Sequence, residues 1–409
     1  MSMTQTSSPL TFFGWRVVAA AFVFAVFSWG ICFYGASVFL HTLHVMRGWP
    51  VALISMAITA HYLLSAAMVV YLDDAYRRLG VVRVTRVGVL ALAAGTLGWA
   101  WAETPWQLFV AAALTALGWS TTSSAAINAM LVPWFSRRRG FALSLAFNGA
   151  SIGGVIFVPL WVGLIARWGF PVAAAAVAAA TLAVLWPLAG RYLRPRPADF
   201  GQAADGEAAV VASQGDGTAR RPIDRRSLLG QWRFLTLSGA FALGLFSQVG
   251  LVAQYVALLV PTLGESGAAG AVSVTTICAV IGRLLLGAIS DRRDRRVIAA
   301  GNFAMQAAGF LLLLTGAAPA AVAGCILFGL GLGNLVSLPP LIAEREYATA
   351  DLGRVVGLAI AINQAFFSFA PGVFGALHDI AGGYAAPLAL ATALHVVAAI
   401  VVLAGRDAR

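Results

Sequence analysis

Apolar stretches of about twenty residues follow one another along most of this chain, and that recurrence limits its possible folds more than any other feature. A helix rises about 1.5 Å per residue, so about twenty apolar residues match the ~30 Å hydrocarbon core of a bilayer. The runs predict helices near 13–40, 50–72, 84–102, 106–132, 141–166 and 171–192. A second set is predicted near 232–260, 268–290, 297–316, 320–343, 355–377 and 385–405. Of the 409 residues, 60% are hydrophobic and only 11% charged, which leaves too little polar surface for a body of this size in water. In hydrocarbon every backbone N–H and C=O must be bonded within the protein, so an all-α membrane protein of twelve transmembrane helices is expected.

Between the two sets the composition turns to Gly, Ala, Arg and Asp without apolar periodicity. This divides the chain into an N-terminal six-helix bundle at 12–192, a cytoplasmic linker at 193–231 with little fixed structure, and a C-terminal six-helix bundle at 232–405. The residues before the first run are uncharged and no small-residue cleavage site follows it, so that run is expected to be retained as a helix.

The net charge of +11 could suggest a nucleic-acid partner, but the positions of the charges argue against one. Every one of the 27 basic residues is Arg. With the N-terminus in the cytoplasm, 24 of them fall on that side, among them Arg16, Arg77, Arg78, Arg83, Arg86, Arg137 to Arg139, Arg345 and Arg354. Only Arg47 and Arg167 fall outside, and Arg283 lies within a helix. Cytoplasmic loops of membrane proteins carry such an excess, so both termini are expected inside, at a bacterial inner membrane. Cys32, Cys278 and Cys325 stand singly in apolar runs, with neither metal spacing nor a disulfide pattern.

The two sets repeat one another. Trp15-Arg16 opens the first and Trp232-Arg233 the second, Phe27-Ser28 recurs as Phe246-Ser247, and Thr42-Leu43 as Thr262-Leu263. Arg139 precedes Asn148 by nine residues, as Arg354 precedes Asn363. The offsets stay between 215 and 220 residues, which points to duplication of a six-helix unit and to a solute site between the halves.

With Gly287-Ala-Ile-Ser-Asp291-Arg292, followed by Arg295, between the eighth and ninth helices, the chain resembles the major facilitator superfamily over nearly its whole length. The resemblance implies two six-helix bundles related by a pseudo-twofold axis, and a cytoplasmic latch in which Asp291 meets Arg292, Arg295 and a helix N-terminus. The first half carries a degraded copy around Asp73, Asp74 and Arg78, with Val69 or Val70 where the small residue is expected. Within the superfamily, several segments resemble the monocarboxylate-transporter and oxalate/formate-antiporter branch. They are Gly14-Trp15-Arg16, Trp134-Phe135-Ser136-Arg137-Arg138-Arg139-Gly140, Arg283-Leu-Leu-Leu-Gly287 and His378-Asp379-Ile-Ala-Gly-Gly383-Tyr384. In that branch the Arg matching Arg283 binds the substrate carboxylate. The branch often carries a Lys where Tyr34 stands and an Asp where Ala279 stands, and both departures bear on proton coupling.

Read from the residues alone, Arg283 is already the most informative position. It lies eight residues before Asp291, about 12 Å along a helix from the cytoplasmic end and so near mid-membrane. A guanidinium there costs about 2.5–3.5 kcal/mol or more on insertion scales, and its planar fork suits a carboxylate. All sixteen Asp and Glu fall in loops, the linker or helix ends, so a ligand anion is the expected partner. Snorkelling is the competing account, but two helical turns is a long way to reach water. Other candidate substrate contacts are Tyr34, Asn128, Asn148, Gln248, Tyr255, Asn334, Asn363 and Gln364, against the alternative that small polar residues only bond helix to helix. His61 is a possible proton site, or a neutral His bonded to a neighbour.

The sequence holds no His-Glu metal pair, no nucleophile elbow and no phosphate-binding Gly loop, so no catalysis and no cofactor are expected. The expected function is secondary transport of a small organic anion, a monocarboxylate first, by alternating access of a monomer, with protons or a counter-anion as coupling partner. An exporter of apolar drugs or metabolites on the same fold is the alternative, and Arg283 discriminates between them.

Overall fold

The computed structural model describes residues 12–136, 138–206, 225–289, 293–348 and 351–406, and it is all-helical. Twelve long helices account for most of it: α1 Gly14–Arg47, α2 Val51–Val70, α3 Val81–Trp101, α4 Pro105–Leu131, α5 139–168 and α6 170–192, then α7 232–263, α8 265–289, α9 Arg295–Leu314, α10 Ala318–Glu346, α11 352–381 and α12 Ala385–Ala404. Between α5 and α6, and between α7 and α8, the chain turns at one glycine. Gly169 (φ 76°) and Gly264 (φ 70°) take a left-handed conformation that a Cβ would oppose. Gly48 (φ 65°) ends α1 as Gly264 ends α7, and Gly382 (φ 68°) ends α11 as Gly169 ends α5. The repeat therefore extends to its turns.

The first and fourth helices of each half are interrupted. In α1 the stretch Trp29–Phe33 is a π-turn, α4 breaks at Ser123, α7 at Gln254 and α10 at Gly333. Each break frees backbone groups that need partners in the bundle interior. The Ser28 hydroxyl donates to the Thr122 carbonyl (3.2 Å) and to the Thr122 hydroxyl (2.7 Å) beside the α4 break. The Gln248 amide donates to the Leu332 carbonyl (3.1 Å) beside the α10 break.

Within each half, small residues let helices approach closely. Gly149 and Gly153 of α5 lie against the Phe22 and Val26 carbonyls of α1, and Gly329 of α10 lies against the Thr275 carbonyl of α8. Aliphatic side chains such as Leu284 (71% exposed) and Ile400 (63% exposed) face outward in mid-helix, as lipid contact requires.

Two seams join the halves, α5 with α8 and α2 with α11. At the end away from the termini the α2–α11 seam is stitched by hydrogen bonds. The Asp379 carboxylate accepts from the Ala52 N–H (2.8 Å) in the first turn of α2, and the Thr59 hydroxyl accepts from the Gly372 N–H (2.8 Å).

One expectation fails at the linker. Residues 193–206 are docked rather than loose: the Asp205 N–H donates to the Trp134 carbonyl (2.8 Å), and the Asp205 carboxylate accepts from the Ser136 and Arg138 N–H groups. Phe200 stacks on Phe13 with ring centroids 4.9 Å apart. One aromatic and one acid anchor a stretch whose overall composition reads as unstructured. Residues 207–224 lie outside the described residues.

Candidate functional site

Helix α8 carries Arg283 in an apolar run, Ala279 to Leu286, that favours a helix in lipid. A helical side chain leans toward the N-terminus of its own helix, so Arg283 points away from the terminal end of the bundle. It crosses the α5–α8 seam, where NH1 donates to the Asn148 Oδ1 of α5 at 3.0 Å. Its other side fills the space left by Gly333 at the α10 break, where a Cβ would stand 2.7 Å from NH2 and 3.0 Å from Nε. The Tyr34 phenol lies within electrostatic reach of the guanidinium, and its ring packs on Gly154 of α5.

Among the described residues no carboxylate pairs with Arg283; its side-chain acceptor is a neutral amide. The contrast with Arg296 is instructive. Arg296 is 2% exposed yet saturated: Glu346 accepts from Nε (2.6 Å) and NH2 (2.8 Å), and Thr236 and the Val402 and Arg233 carbonyls take the remaining N–H groups. A buried guanidinium built for structure is surrounded by acceptors. Arg283 keeps donors in hand.

The other sequence candidates separate into groups. Asn148 and Tyr34 are brought together with Arg283. Asn128 is engaged elsewhere, accepting from Arg139 NH2 at 2.8 Å in the first turn of α5. Gln248 and Asn334 belong to a buried amide network around the α10 break. There Gln248 reaches Gln306 (3.4 Å), and Asn334 donates to Asn302 (3.0 Å) and the Leu330 carbonyl (3.1 Å). Tyr255 is 2% exposed, shares a hydrogen bond with the Thr275 hydroxyl (3.0 Å) and packs on Phe328 inside the second half. Asn363 is buried with Oδ1 unpartnered, and Gln364 beside it is half-buried. His61 is 3% exposed on α2, with Nδ1 at 3.0 Å from the Thr115 hydroxyl and its ring 6.1 Å from that of Trp119.

Of the expected latch residues, Asp291 and Arg292 lie outside the described residues, and Gly287 is in the last turn of α8. Arg295 bonds the Leu341 carbonyl and Glu344 Oε2 (3.1 Å), tying α9 to the last turns of α10. Asp73, Asp74 and Arg78 lie in a short helix, Leu72–Leu79, where Asp74 pairs with Arg77. Asp294, which the sequence reading passed over, caps α9 by accepting from the Arg296 N–H (2.9 Å) and binds Arg406 Nε (2.7 Å). Burial works to raise its carboxyl, but the Arg296 N–H and the Arg406 guanidinium outweigh that and hold it below its ordinary value.

Also unforeseen is a run of aromatic contacts through the middle of the molecule. Phe147, beside Asn148, meets Trp29 at 6.1 Å between centroids, Trp29 meets Trp119 at 4.7 Å, Trp119 meets Tyr62 at 6.4 Å, and Tyr62 meets Phe367 of the other half at 6.0 Å. Isolated aromatics on five helices carry no shared signal in sequence; only the fold collects them.

A family model described as Major Facilitator Superfamily matches residues 18–371. The MFS-type transporter pynF of Aspergillus niger (strain ATCC MYA-4892 / CBS 513.88 / FGSC A1513) is 27% identical over 251 residues, 60% of this chain and 51% of pynF, so the chain spans about half the length of that curated relative. A bacterial homolog of the human lysosomal transporter Spinster, solved in an inward-facing and unoccupied conformation, superposes with a TM-score of 0.72 at 14% identity, covering 98% of this chain and 99% of that one. The nucleoside transporter NupG (D323A mutant) gives 0.73 at 14% identity, covering 97% and 100%.

Proposed function

The chain belongs to the major facilitator superfamily, and from that premise we propose that it is a secondary carrier of a small organic anion, a monocarboxylate first, with Arg283 as the anion's ligand. A secondary transporter of this type has no need of a cofactor. The observation that carries the reading is Arg283 itself, a partly buried guanidinium in the seam between the halves with, among the described residues, an amide and no carboxylate across from it. A carboxylate would accept two parallel N–H bonds from the fork and neutralise its charge, which Asn148 cannot do. Tyr34 adds a hydroxyl where the resembling branch often has a Lys, enough to bond a carboxylate oxygen without adding charge.

The arginine bias supports a cytoplasmic side for the terminal end of the bundle, in a bacterial cell. The hydrogen bonds accepted by Asp379 and Thr59 would then close the external end of the α2–α11 seam, so solute would reach Arg283 from inside. Rocking of the halves about Arg283 would break those bonds and expose the site to the other face. With Ala279 in place of an acid, the coupling partner is a counter-anion, or a proton carried on the substrate or on His61. An exporter of apolar compounds leaves Arg283 without a role.

The test is transport by the purified protein in liposomes, with labelled mono- and dicarboxylates and with and without a pH gradient. Saturable uptake of a monocarboxylate, accelerated by internal unlabelled anion or by an inward proton gradient, is expected. Uptake of neutral solutes alone would sink the proposal.

A further inference from the structure

We infer that the anion is an aryl carboxylate: a single carboxylate on a flat apolar body, rather than a two- or three-carbon acid or a dicarboxylate. The inference rests on the organic-anion reading and deepens it. The aromatic run begins at Phe147, the residue before the one that holds Arg283, and passes through Trp29, Trp119 and Tyr62 to Phe367 across the seam. Five helices, α5, α1, α4, α2 and α11, each give one ring. The successive planes lie at 71°, 56°, 84° and 87° to one another, so three of the contacts are edge to face and the Trp29–Trp119 contact is tilted. Trp29, Phe147 and Phe367 are only partly buried.

Cation and rings together select the solute. Among the described residues Arg283 meets no carboxylate and only a neutral amide, so one negative charge balances the site. The second carboxylate of a diacid would sit among rings with no cation, and a buried charge without a partner is strongly disfavoured. The hydroxyl or keto oxygen of a short acid would exchange water for the same rings and lose hydrogen bonds. An aromatic body loses nothing there and gains stacking contacts.

The experiment measures inhibition and direct uptake in liposomes with benzoate, phenylacetate, pyruvate and succinate as probes. We expect benzoate or phenylacetate to be taken up with a half-saturating concentration at least tenfold below that of pyruvate or succinate. Trp119→Leu should lower the benzoate-to-pyruvate preference about tenfold, whereas Trp29→Phe, which keeps a ring, should largely retain it. Elution profile and thermal melting report whether each variant is folded. Equal or better handling of pyruvate, with Arg283→Gln abolishing both, overturns the aryl inference and leaves the organic-anion reading standing. A preference for benzoate that both Leu variants, Trp119→Leu and Trp29→Leu, retain in folded protein also overturns it. Transport of no carboxylate at all sinks both.

Discussion

The two seams between the halves occupy equivalent places in the duplication, yet their chemistry differs. Ser65 stands eight residues before Asp73 as Arg283 stands eight before Asp291, and Asn363 is the repeat partner of Asn148. In the α5–α8 seam this pair of positions holds a guanidinium and an amide in a 3.0 Å hydrogen bond. In the α2–α11 seam it holds a hydroxyl and an amide, both buried, with Ser65 Oγ and Asn363 Oδ1 unpartnered. The breaks in the fourth helices diverge in the same sense: Gly333 leaves room for a guanidinium, while Ser123 in α4 already carries a side chain. Duplication supplied a frame with two equivalent seams. One carries a guanidinium facing a neutral amide, and the other carries hydrogen bonds at the end away from the termini.

The sharpest way to break that comparison is to remove the charge. Arg283→Gln should cut carboxylate transport at least a hundredfold, since charge-assisted bonds worth about 1.5–3 kcal/mol each are lost with the counter-charge. Membrane insertion should be undisturbed, because deleting a charge from the bilayer interior eases insertion. Counterflow in liposomes with matched protein content measures the effect, and activity within threefold of the parent would refute the role. The next test compares the two amides. Asn148→Leu removes the side-chain acceptor that the guanidinium has among the described residues and should change half-saturation for the anion several-fold. Asn363→Leu, on the seam without a charge, should change it less than twofold. Equal effects would mean the seams share the solute.

What the sequence revealed and what it hid divide along physical lines. Apolar runs mark the helices because lipid leaves the backbone no alternative, and Arg283 was conspicuous because a charge in mid-membrane is costly. Gln248, Asn334, Tyr255 and Asn128 were harder to place. A polar residue on a membrane helix has the same local sequence whether it faces a solute or a freed carbonyl of its own bundle, and here the first two serve the α10 break while Asn128 serves Arg139. The aromatic run was hidden because its touching members are separated by 57 to 305 residues in sequence and meet only in the folded core. The docking of residues 193–206 turned on two side chains, Phe200 and Asp205, that average composition dilutes.

The closed seam offers a smaller but cleaner effect. Asp379 places a carboxylate at the N-terminus of α2, where unpaired N–H groups and the helix dipole favour a negative charge, and separation of α2 from α11 at that end would break the contact. Asp379→Asn should weaken closure by about 0.5–2 kcal/mol, shifting the population toward the state open at that end. The thiol of Ser55→Cys, at a position on α2 whose hydroxyl accepts from the Gln254 amide at 3.4 Å, should then react several-fold faster with an impermeant thiol reagent. An unchanged rate would show that the α5–α8 seam alone sets the closed state.

The smallest effect is expected at the terminal end of the second half, where Asp294 caps α9 and binds Arg406. Its carboxyl is held below the ordinary value, so it binds fewer protons folded than unfolded. The stability this gives is therefore present above the unfolded value of about 4 and disappears as pH falls through the lower folded value. Asp294→Asn should lower the melting temperature in detergent by a degree or two at pH 7 and leave it unchanged at the acid limit, so the two melting curves converge as pH drops below about 4. The comparison is with the Asp74–Arg77 pair of the first half, which is exposed and lies within one short helix. Neutralising Asp74 should open a gap of well under about a degree at pH 7, because an exposed pair contributes little and water already screens it. Matching gaps in the two variants would mean that the terminal ends of the halves are braced alike, and that only the seams distinguish them.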